Sequence, residues 1–130
     1  MAHVTVEYTA NIRAEADIPR LLRAINESLM AQPGVFTVAG IRSRAIELTH
    51  YRMADGAADY AFVHVTLKIA AGRDASVRTR TGTDLFEAIK AHFADIYSKR
   101  LLALSMELCE FDDGGNYEHN NVHARFKPPV

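Results

Sequence analysis

The same order of local patterns occurs twice along the chain, and this repetition constrains the fold more than any other feature. Alternating apolar and polar residues predict strands at 3–8, 39–50, 60–69 and 101–111. Apolar residues at helical spacing predict a helix that Asp17 caps and Pro33-Gly34 terminates, and a second helix from Asp74 to about Ser98. Each half therefore reads strand, helix, strand, an order that requires parallel pairing of its two strands.

We expect an α+β fold: a two-layer β-α-β-β-α-β arrangement, with a four-stranded sheet and two helices on one face. A ferredoxin-like topology is the alternative, because the patterns do not show how the two halves connect. In strand 39–50, Arg42 and Arg44 share one face with Ile46 and Leu48. This alternation predicts cations at the start of an apolar stripe, where burial would require anionic partners. Gly82 interrupts the second helix and suggests close packing there.

Composition narrows the classes of function. The 130 residues are expected to form a single domain, 1–130, and Lys plus Arg (15) nearly balance Asp plus Glu (16), for a net charge of -1. This balance argues against a nucleic-acid partner, and no uncharged run approaches the roughly 18 residues that span a bilayer. A single cysteine, Cys109, cannot close an internal disulfide and is typical of a reducing compartment. We therefore expect a cytoplasmic protein with no membrane partner.

The C-terminal segment, residues 112–130, is polar and contains only isolated apolar side chains at Tyr117, Val122 and Phe126. Such a segment has too little apolar surface to order itself. We expect it to dock on a neighbouring subunit.

Several short motifs follow one another along nearly the whole chain. They are Asn11-Ile12-Arg13, Gly40-Ile41-Arg42-Ser43-Arg44, Met53-Ala54-Asp55-Gly56, Asp59-Tyr60-Ala61-Phe62-Val63-His64, Thr66-Leu67-Lys68-Ile69, Ala71-Gly72-Arg73 and Asn120-Asn121-Val122-His123-Ala124. In this order and spacing they resemble the 5-carboxymethyl-2-hydroxymuconate isomerases of the tautomerase superfamily. The resemblance implies a homotrimer with sites at subunit interfaces and no cofactor. It also implies proton transfer on a small anionic unsaturated acid during the breakdown of aromatic hydroxyphenylacetates.

The family's catalytic base is an amino-terminal proline exposed when the initiator methionine is removed, and the matching position here is Ala2. An α-amine, with a reference pKa of about 7.7 to 8.0, suits proton transfer between carbon atoms near neutral pH. If Met1 is removed, Ala2 presents a primary amine. If Met1 stays, the Ala2 nitrogen is an amide and cannot act as the base. Ala2 as simply the first residue of a strand is the alternative interpretation.

Two further site residues follow from the resemblance, Arg42 and Arg73, which match the family's functional arginines. Both suit the pairing of substrate carboxylates and the stabilisation of a dienolate. The alternative is that Arg42 pairs with an acidic neighbour and that Arg73 is a solvated residue near a helix start. Arg44 is expected to be a structural ion-pair partner, and Arg13 is the counterpart of Arg73 in the first half.

The histidines are interpreted as structural. Strand alternation places His3 on the face opposite Ala2, and His64 is expected to hydrogen-bond across the sheet or a trimer axis. The spacing of His119 and His123 could suit a metal on a helix, but the neighbouring glycines and asparagines argue against one, so no metal is expected. Nothing marks Cys109 as a nucleophile.

The sequence thus predicts a cofactor-independent isomerase of a muconate-like polycarboxylic acid, with Ala2, Arg42 and Arg73 as catalytic residues. One alternative is a non-catalytic trimer that binds a small organic acid because Ala2 replaces the proline. Another is an unrelated ferredoxin-like dimeric module.

Overall fold

A computed structural model describes residues 1–127, apart from the side chain of Asp113. Its strands are β1 (Ala2–Thr9), β2 (Ile41–Leu48), β3 (Ala61–Ala70) and β4 (Leu102–Phe111), and its helices are α1 (Ile18–Met30) and α2 (Ala75–Lys99). A short 3-10 helix at Val38–Gly40 precedes β2, and another at Val122–Phe126 lies near the C-terminus. The six predicted elements are thereby confirmed, and the main difference is that β2 is shorter by two residues at each end.

The four strands form one sheet in the order β2-β1-β3-β4. β1 pairs with β2, and β3 with β4, in parallel, whereas the two central strands β1 and β3 are antiparallel. This confirms parallel pairing within each half. The ferredoxin-like alternative is wrong, because in a split βαβ unit another strand separates the two parallel strands.

The core lies between the sheet and the two helices. Every second residue of the central strands is buried on the helix side, including Val4, Val6, Val63, Val65 and Leu67. The helices contribute the facing layer, with Leu21, Ile25 and Leu29 from α1 and Leu85, Ile89 and Phe93 from α2. Asp17 is the N-cap of α1, as predicted, and its Oδ1 accepts a hydrogen bond from the Arg20 amide at 3.4 Å.

The other face of the sheet carries no helix, and we call it the open face. In β2 the residues with the parity of Arg42, Arg44 and Ile46 lie on this face, and Ile46 is 47% exposed. The predicted burial of cations along an apolar stripe is therefore wrong. Alternation shows which residues share a face but not which face the helices cover. In β2 the helices cover the face that carries Ile41 and every second residue after it.

Two predictions about α2 need correction. Asp74 occupies its N-cap position, but the side chain makes no capping hydrogen bond. A Cβ atom added at Gly82 would lie 3.8 Å from Met106 Cε and 3.9 Å from Leu108 Cδ1, which are ordinary van der Waals distances. The packing there does not require a glycine.

No helix in residues 1–127 combines the length and the apolar character needed to cross a membrane.

Candidate active site

The start of β1 is buried within the sheet. Ala2 is fully buried and pairs in register with Ile41 on one side and Ile69 on the other. Met1 precedes it at the end of the sheet, where a Cβ atom on Gly40 would lie only 3.3 Å from the Met1 Cα. The absence of a side chain at Gly40 therefore allows the N-terminal backbone to approach the start of β2.

Arg73 lies close to this end of the sheet. Its Nη1 donates to the Ala70 carbonyl and its Nη2 to the Val35 carbonyl, both at 2.9 Å. The guanidinium carbon also lies 4.8 Å from the centre of the Phe36 ring, a cation–π distance. Within residues 1–127, Arg73 forms no ion pair with a carboxylate, so its positive charge is oriented by carbonyls and a ring but not neutralised by a neighbour.

Arg42 belongs to the open face. It pairs in register with His3, one residue beyond the pair formed by Ala2 and Ile41. Its Nη2 lies 3.9 Å from Glu118 Oε1, and its side chain is 41% exposed. This is a long ion pair with an acidic residue of the C-terminal segment.

The structure therefore brings together two of the three expected site residues within one chain. Ala2 pairs with Ile69, whose neighbour Ala70 accepts a hydrogen bond from Arg73. Arg42 lies at the same end of the sheet, on β2, but its side chain projects from the face opposite that of the Ala2 side chain. All three residues lie at the same end of the sheet, with Arg42 on the open face and the Ala2 side chain on the helix face.

His3 and Arg44 contact each other on the open face. Arg44 Nη1 donates to His3 Nδ1 at 3.2 Å, and His3 Nε2 lies 3.1 Å from the Met1 sulfur. Burial, followed by the positive charges of Arg44 and Arg42, lowers the pKa of His3. Among the described residues Arg44 has no carboxylate partner, so the structure does not place it in the ion pair expected of it.

At the opposite end of the sheet, the cations are held by carboxylates of the same chain. Arg13 donates to both oxygens of Glu47 at 2.6 Å, and Tyr8 donates to Glu47 Oε1 at 3.3 Å. The hydrogen bond from Arg13 is the main reason that the pKa of Glu47 lies below its ordinary value. Arg13 is thus the sequence counterpart of Arg73 but lies in a different electrostatic environment.

His64 hydrogen-bonds across the sheet as predicted, with Nδ1 2.7 Å from Ser105 Oγ and Nε2 3.0 Å from Glu107 Oε1. His123 contacts Glu118 at 3.0 Å. Within the described part of the chain, no group of three or more His, Cys, Asp and Glu side chains has the arrangement of a metal site.

The C-terminal segment contacts its own chain through polar groups. Asn120 donates to the Ala39 carbonyl at 3.3 Å and to Glu118 Oε1 at 3.2 Å. Hydrogen bonds from His123 and Asn120 lower the pKa of Glu118. The apolar side chains of this segment remain exposed, by 91% at Tyr117 and by 50% at both Val122 and Phe126. Residues 128–130 lie outside the described residues.

Several residues around the site were not identified as site residues from the sequence. Val35 and Phe36 hold Arg73 from a loop with no distinctive pattern, and Glu118 reaches Arg42 from a polar segment. Gly40 could have been identified from the sequence, because a glycine directly before a predicted strand suggests a close approach of another backbone segment.

Comparison with known proteins first shows the fold. The structure matches that of a fused 4-OT wild-type symmetric trimer with a TM-score of 0.61 at 16% identity, over 83% of this chain and 85% of that chain. At this identity the likeness shows the fold alone.

The closer similarities identify the family. The family model of 5-carboxymethyl-2-hydroxymuconate isomerase matches residues 2–126. The chain is 51% identical to the Escherichia coli 5-carboxymethyl-2-hydroxymuconate Delta-isomerase over 127 residues, 98% of this chain and 100% of that protein. It also matches the crystal structure of a 5-carboxymethyl-2-hydroxymuconate isomerase from Deinococcus radiodurans R1, with 44% identity and a TM-score of 0.93 over 98% and 95% of the two chains. The chain belongs to the 5-carboxymethyl-2-hydroxymuconate isomerase family, and the predicted isomerase class is confirmed.

Proposed function

We propose that this isomerase moves a proton on an unsaturated polycarboxylic acid of the 5-carboxymethyl-2-hydroxymuconate type, without a cofactor. The proposal rests on one observation in particular. Arg73 is held beside the buried start of β1 by two carbonyls and the Phe36 ring, and within residues 1–127 it has no carboxylate partner. Such a cation suits a substrate carboxylate or the oxygen of a dienolate.

The base in this mechanism is the α-amine of Ala2, released when Met1 is removed. The amine takes a proton from the substrate, the resulting dienolate is stabilised by the cationic side chains, and the ammonium group returns a proton at another carbon. Ala2 is buried in the chain that carries Met1, and burial of the released amine would favour its neutral, basic form, since desolvation disfavours the charged form.

Arg42 is proposed to hold another carboxylate of the substrate. Its contact with Glu118 is long, at 3.9 Å, and its side chain is 41% exposed, so a substrate carboxylate can compete for it. Because Arg42 and Arg73 project from different sides of the sheet, we infer that the complete site combines residues of neighbouring subunits.

We also propose a homotrimer in the cytoplasm, acting in aromatic catabolism. The exposed Tyr117, Val122 and Phe126 of the C-terminal segment fit the expected docking on a neighbouring subunit. The single cysteine fits a reducing compartment.

The test compares three forms of the protein, each verified by intact-mass spectrometry. They are the chain that retains Met1, the chain that begins at Ala2, and an Ala2→Pro chain with Met1 removed. We expect kcat/KM for isomerisation of a 2-hydroxymuconate to rise in that order. With Met1 attached the nearest amine is misplaced, and a misplacement of about 1 Å can cost about a hundredfold in rate. The proline form fixes the direction of the amine.

Other outcomes decide against parts of the proposal. Equal rates in all three forms would show that the amine is not the base, and His3 would become the candidate. No turnover in any form, the proline form included, would favour the non-catalytic acid-binding trimer. The 51% identity to a protein named as an isomerase argues against that alternative.

A further inference from the structure

Arg78 lies near the start of α2, where its side chain contacts the backbone of Arg73. A cation near the N-terminus of a helix interacts unfavourably with the helix dipole, so another contact has to compensate. Side chains in a helix point back toward its N-terminus, which directs Arg78 toward the turn that precedes α2. There its Nη1 donates to the Arg73 carbonyl at 2.9 Å. Arg78 therefore holds the backbone of a residue whose side chain belongs to the candidate active site.

The turn between β3 and α2 is attached to the rest of the fold at both ends. The Ala71 amide donates to the carbonyl of the last residue of β4 at 3.0 Å, and the Asp74 carbonyl accepts from the Arg78 amide at 3.0 Å. Between them Gly72 has φ of 109°, a conformation that glycine adopts without strain. The Asp74 side chain makes no capping hydrogen bond. The contact from the Arg78 side chain is therefore a direct constraint on the Arg73 backbone within this turn.

A carboxylate of the sheet holds Arg78 in place. Glu110 Oε1 lies 3.6 Å from Arg78 Nη1. In the strand register Glu110 pairs with Ile69, and Ile69 pairs with Ala2, so Glu110 and Ala2 belong to one row across the sheet. The backbone of Glu110 is thus fixed by the pairing of β3 with β4. Through Arg78, this fixed position is connected to Arg73 in the turn.

Both ends of Arg73 are then held by other parts of the molecule. Its guanidinium donates to the carbonyls of Ala70 and Val35 and lies against the Phe36 ring. Its own carbonyl accepts from Arg78. A long side chain has many rotamers, and a functional group keeps a productive orientation only where surrounding contacts select one of them. Loss of the Arg78 contact would free the backbone from which the Arg73 side chain extends.

We propose that Arg78 is a positioning residue for the isomerisation and that Glu110 supports it. Arg78 fixes the Arg73 backbone, so that the Arg73 guanidinium meets a carboxylate or the dienolate oxygen of the substrate. In this role Arg78 acts through Arg73 and not on the substrate. The inference rests on the function proposed above for Arg73.

The first test is a double-mutant cycle on kcat/KM for isomerisation of a 2-hydroxymuconate, in the chain that begins at Ala2. Arg78→Met should lower kcat/KM by about tenfold or more, since a misplacement of about 1 Å can cost about a hundredfold in rate. In the Arg73→Ala background the same change should have almost no further effect, because the group that Arg78 positions is absent. Arg78→Lys keeps the charge and a donor and should recover part of the loss.

Glu110→Gln separates positioning from a general effect of charge. This substitution removes a negative charge beside Arg78, so a purely electrostatic effect would favour an anionic substrate and lower KM. Loss of the carboxylate that holds Arg78 should instead lower kcat/KM, by a smaller factor than in Arg78→Met. The matched controls are Arg23→Met and Glu27→Gln, which remove the two partners of an exposed ion pair on α1. Both should retain the kcat/KM of the parent.

A second measurement does not depend on turnover. The proton–nitrogen NMR signal of Arg73 Nε, identified by its loss in Arg73→Ala, reports the environment of the guanidinium. We expect this signal to shift and broaden in Arg78→Met and to stay unchanged in Arg23→Met. A parent that does not isomerise a 2-hydroxymuconate would refute the proposed function and with it the catalytic purpose of Arg78. The spectrum would still decide whether Arg78 orients Arg73.

Two results would overturn the proposal, once melting curves have verified that every variant is folded at the assay temperature. The first is an equal loss of kcat/KM from Arg78→Met in the parent and in the Arg73→Ala background, which would show that Arg78 acts independently of Arg73. The second is an Arg78→Met variant with the kcat/KM and the Arg73 signal of the parent, which would show that the contact is dispensable.

Discussion

Arginine side chains in this molecule differ in whether a carboxylate of the same chain holds them. Arg13 is paired in a forked geometry with Glu47, and Arg100 donates to both Glu15 and Asp59 at 2.8–2.9 Å. Arg73 instead donates to two backbone carbonyls, which orient its guanidinium, and within residues 1–127 it has no carboxylate partner. A resemblance in sequence matches Arg42 and Arg73 to the family pattern, whereas the contacts distinguish only Arg73 from Arg13 and Arg100, because Arg42 lies 3.9 Å from Glu118.

The first prediction at this scale concerns ligand affinity. Arg42→Ala and Arg73→Ala should each weaken binding of a muconate-like polyacid by about 1.5 to 3 kcal/mol, the scale of one hydrogen bond to a charged group. Arg44→Ala should weaken it less. Calorimetric titration measures this, with the exposed Arg20→Ala as control. Affinities equal to the parent in all variants would exclude these arginines from the site. A loss of affinity confined to Arg44→Ala would show that Arg42 is the wrong residue of β2.

A second prediction follows from the low pKa of Glu47. Since Arg13 lowers the pKa of this carboxyl in the folded state, the pair stabilises the fold above the ordinary value of 4.5, and the contribution is lost as the pH falls through the folded pKa. Glu47→Gln should therefore lower Tm at pH 7, and the difference from the parent should shrink below about pH 4.

The matched control is Glu27→Gln, which removes the carboxylate of an exposed pair with Arg23 on α1. Such pairs contribute little, so Tm should change less at pH 7 than in Glu47→Gln. A Tm difference for Glu47→Gln that stays constant from pH 7 to pH 3 would contradict the assigned role of the pair.

At the scale of elements, the sequence predicts the strands and helices well because each has a strong periodicity. In β3 the alternation from Ala61 to Ile69 is complete, and the structure buries those positions. The order of strands was not predictable, since the antiparallel pairing of β1 with β3 joins residues about 60 positions apart and depends on side-chain packing. The face of β2 was misassigned for the same reason. Periodicity depends on neighbouring residues, whereas the position of the helices depends on contacts between residues that are distant in the sequence.

Gly82, in the interior of α2, allows a prediction about the stability of this helix. A methyl group there meets only ordinary contacts, at 3.8 and 3.9 Å, while glycine in a helix interior is less stable than alanine. Gly82→Ala should raise the free energy of unfolding by about 0.5 to 1 kcal/mol, measured by urea denaturation. Gly72→Ala is the contrasting control, because Gly72 has φ of 109° and alanine should destabilise the fold. A loss of stability in Gly82→Ala would mean that the packing there is tighter than the contacts indicate.

At the scale of the whole molecule, the open face leaves apolar side chains exposed. Ile46 is 47% exposed on this face, and the helices cover only the other side of the sheet. We predict that the parent sediments as a trimer at micromolar concentration and that Ile46→Glu sediments as a smaller species. An unpaired carboxylate in an interface costs several kcal/mol.

Met30→Glu is the control for this experiment, because Met30 is 52% exposed at the end of α1, on the helix layer. It should remain a trimer. A monomeric parent would refute the trimer, and a trimeric Ile46→Glu would move the interface away from this part of the open face.

The antiparallel pairing of β1 with β3 has a consequence for how many ligands one chain can hold. The halves are related by an approximate half-turn, so matching positions fall at opposite ends of the sheet, with Arg13 at one end and Arg73 at the other. Arg13 forms an ion pair with Glu47, whereas Arg73 has no carboxylate partner within residues 1–127. In the proposed mechanism each chain therefore has one carboxylate-binding end and not two, so that an assembly of these chains would have one site for each chain.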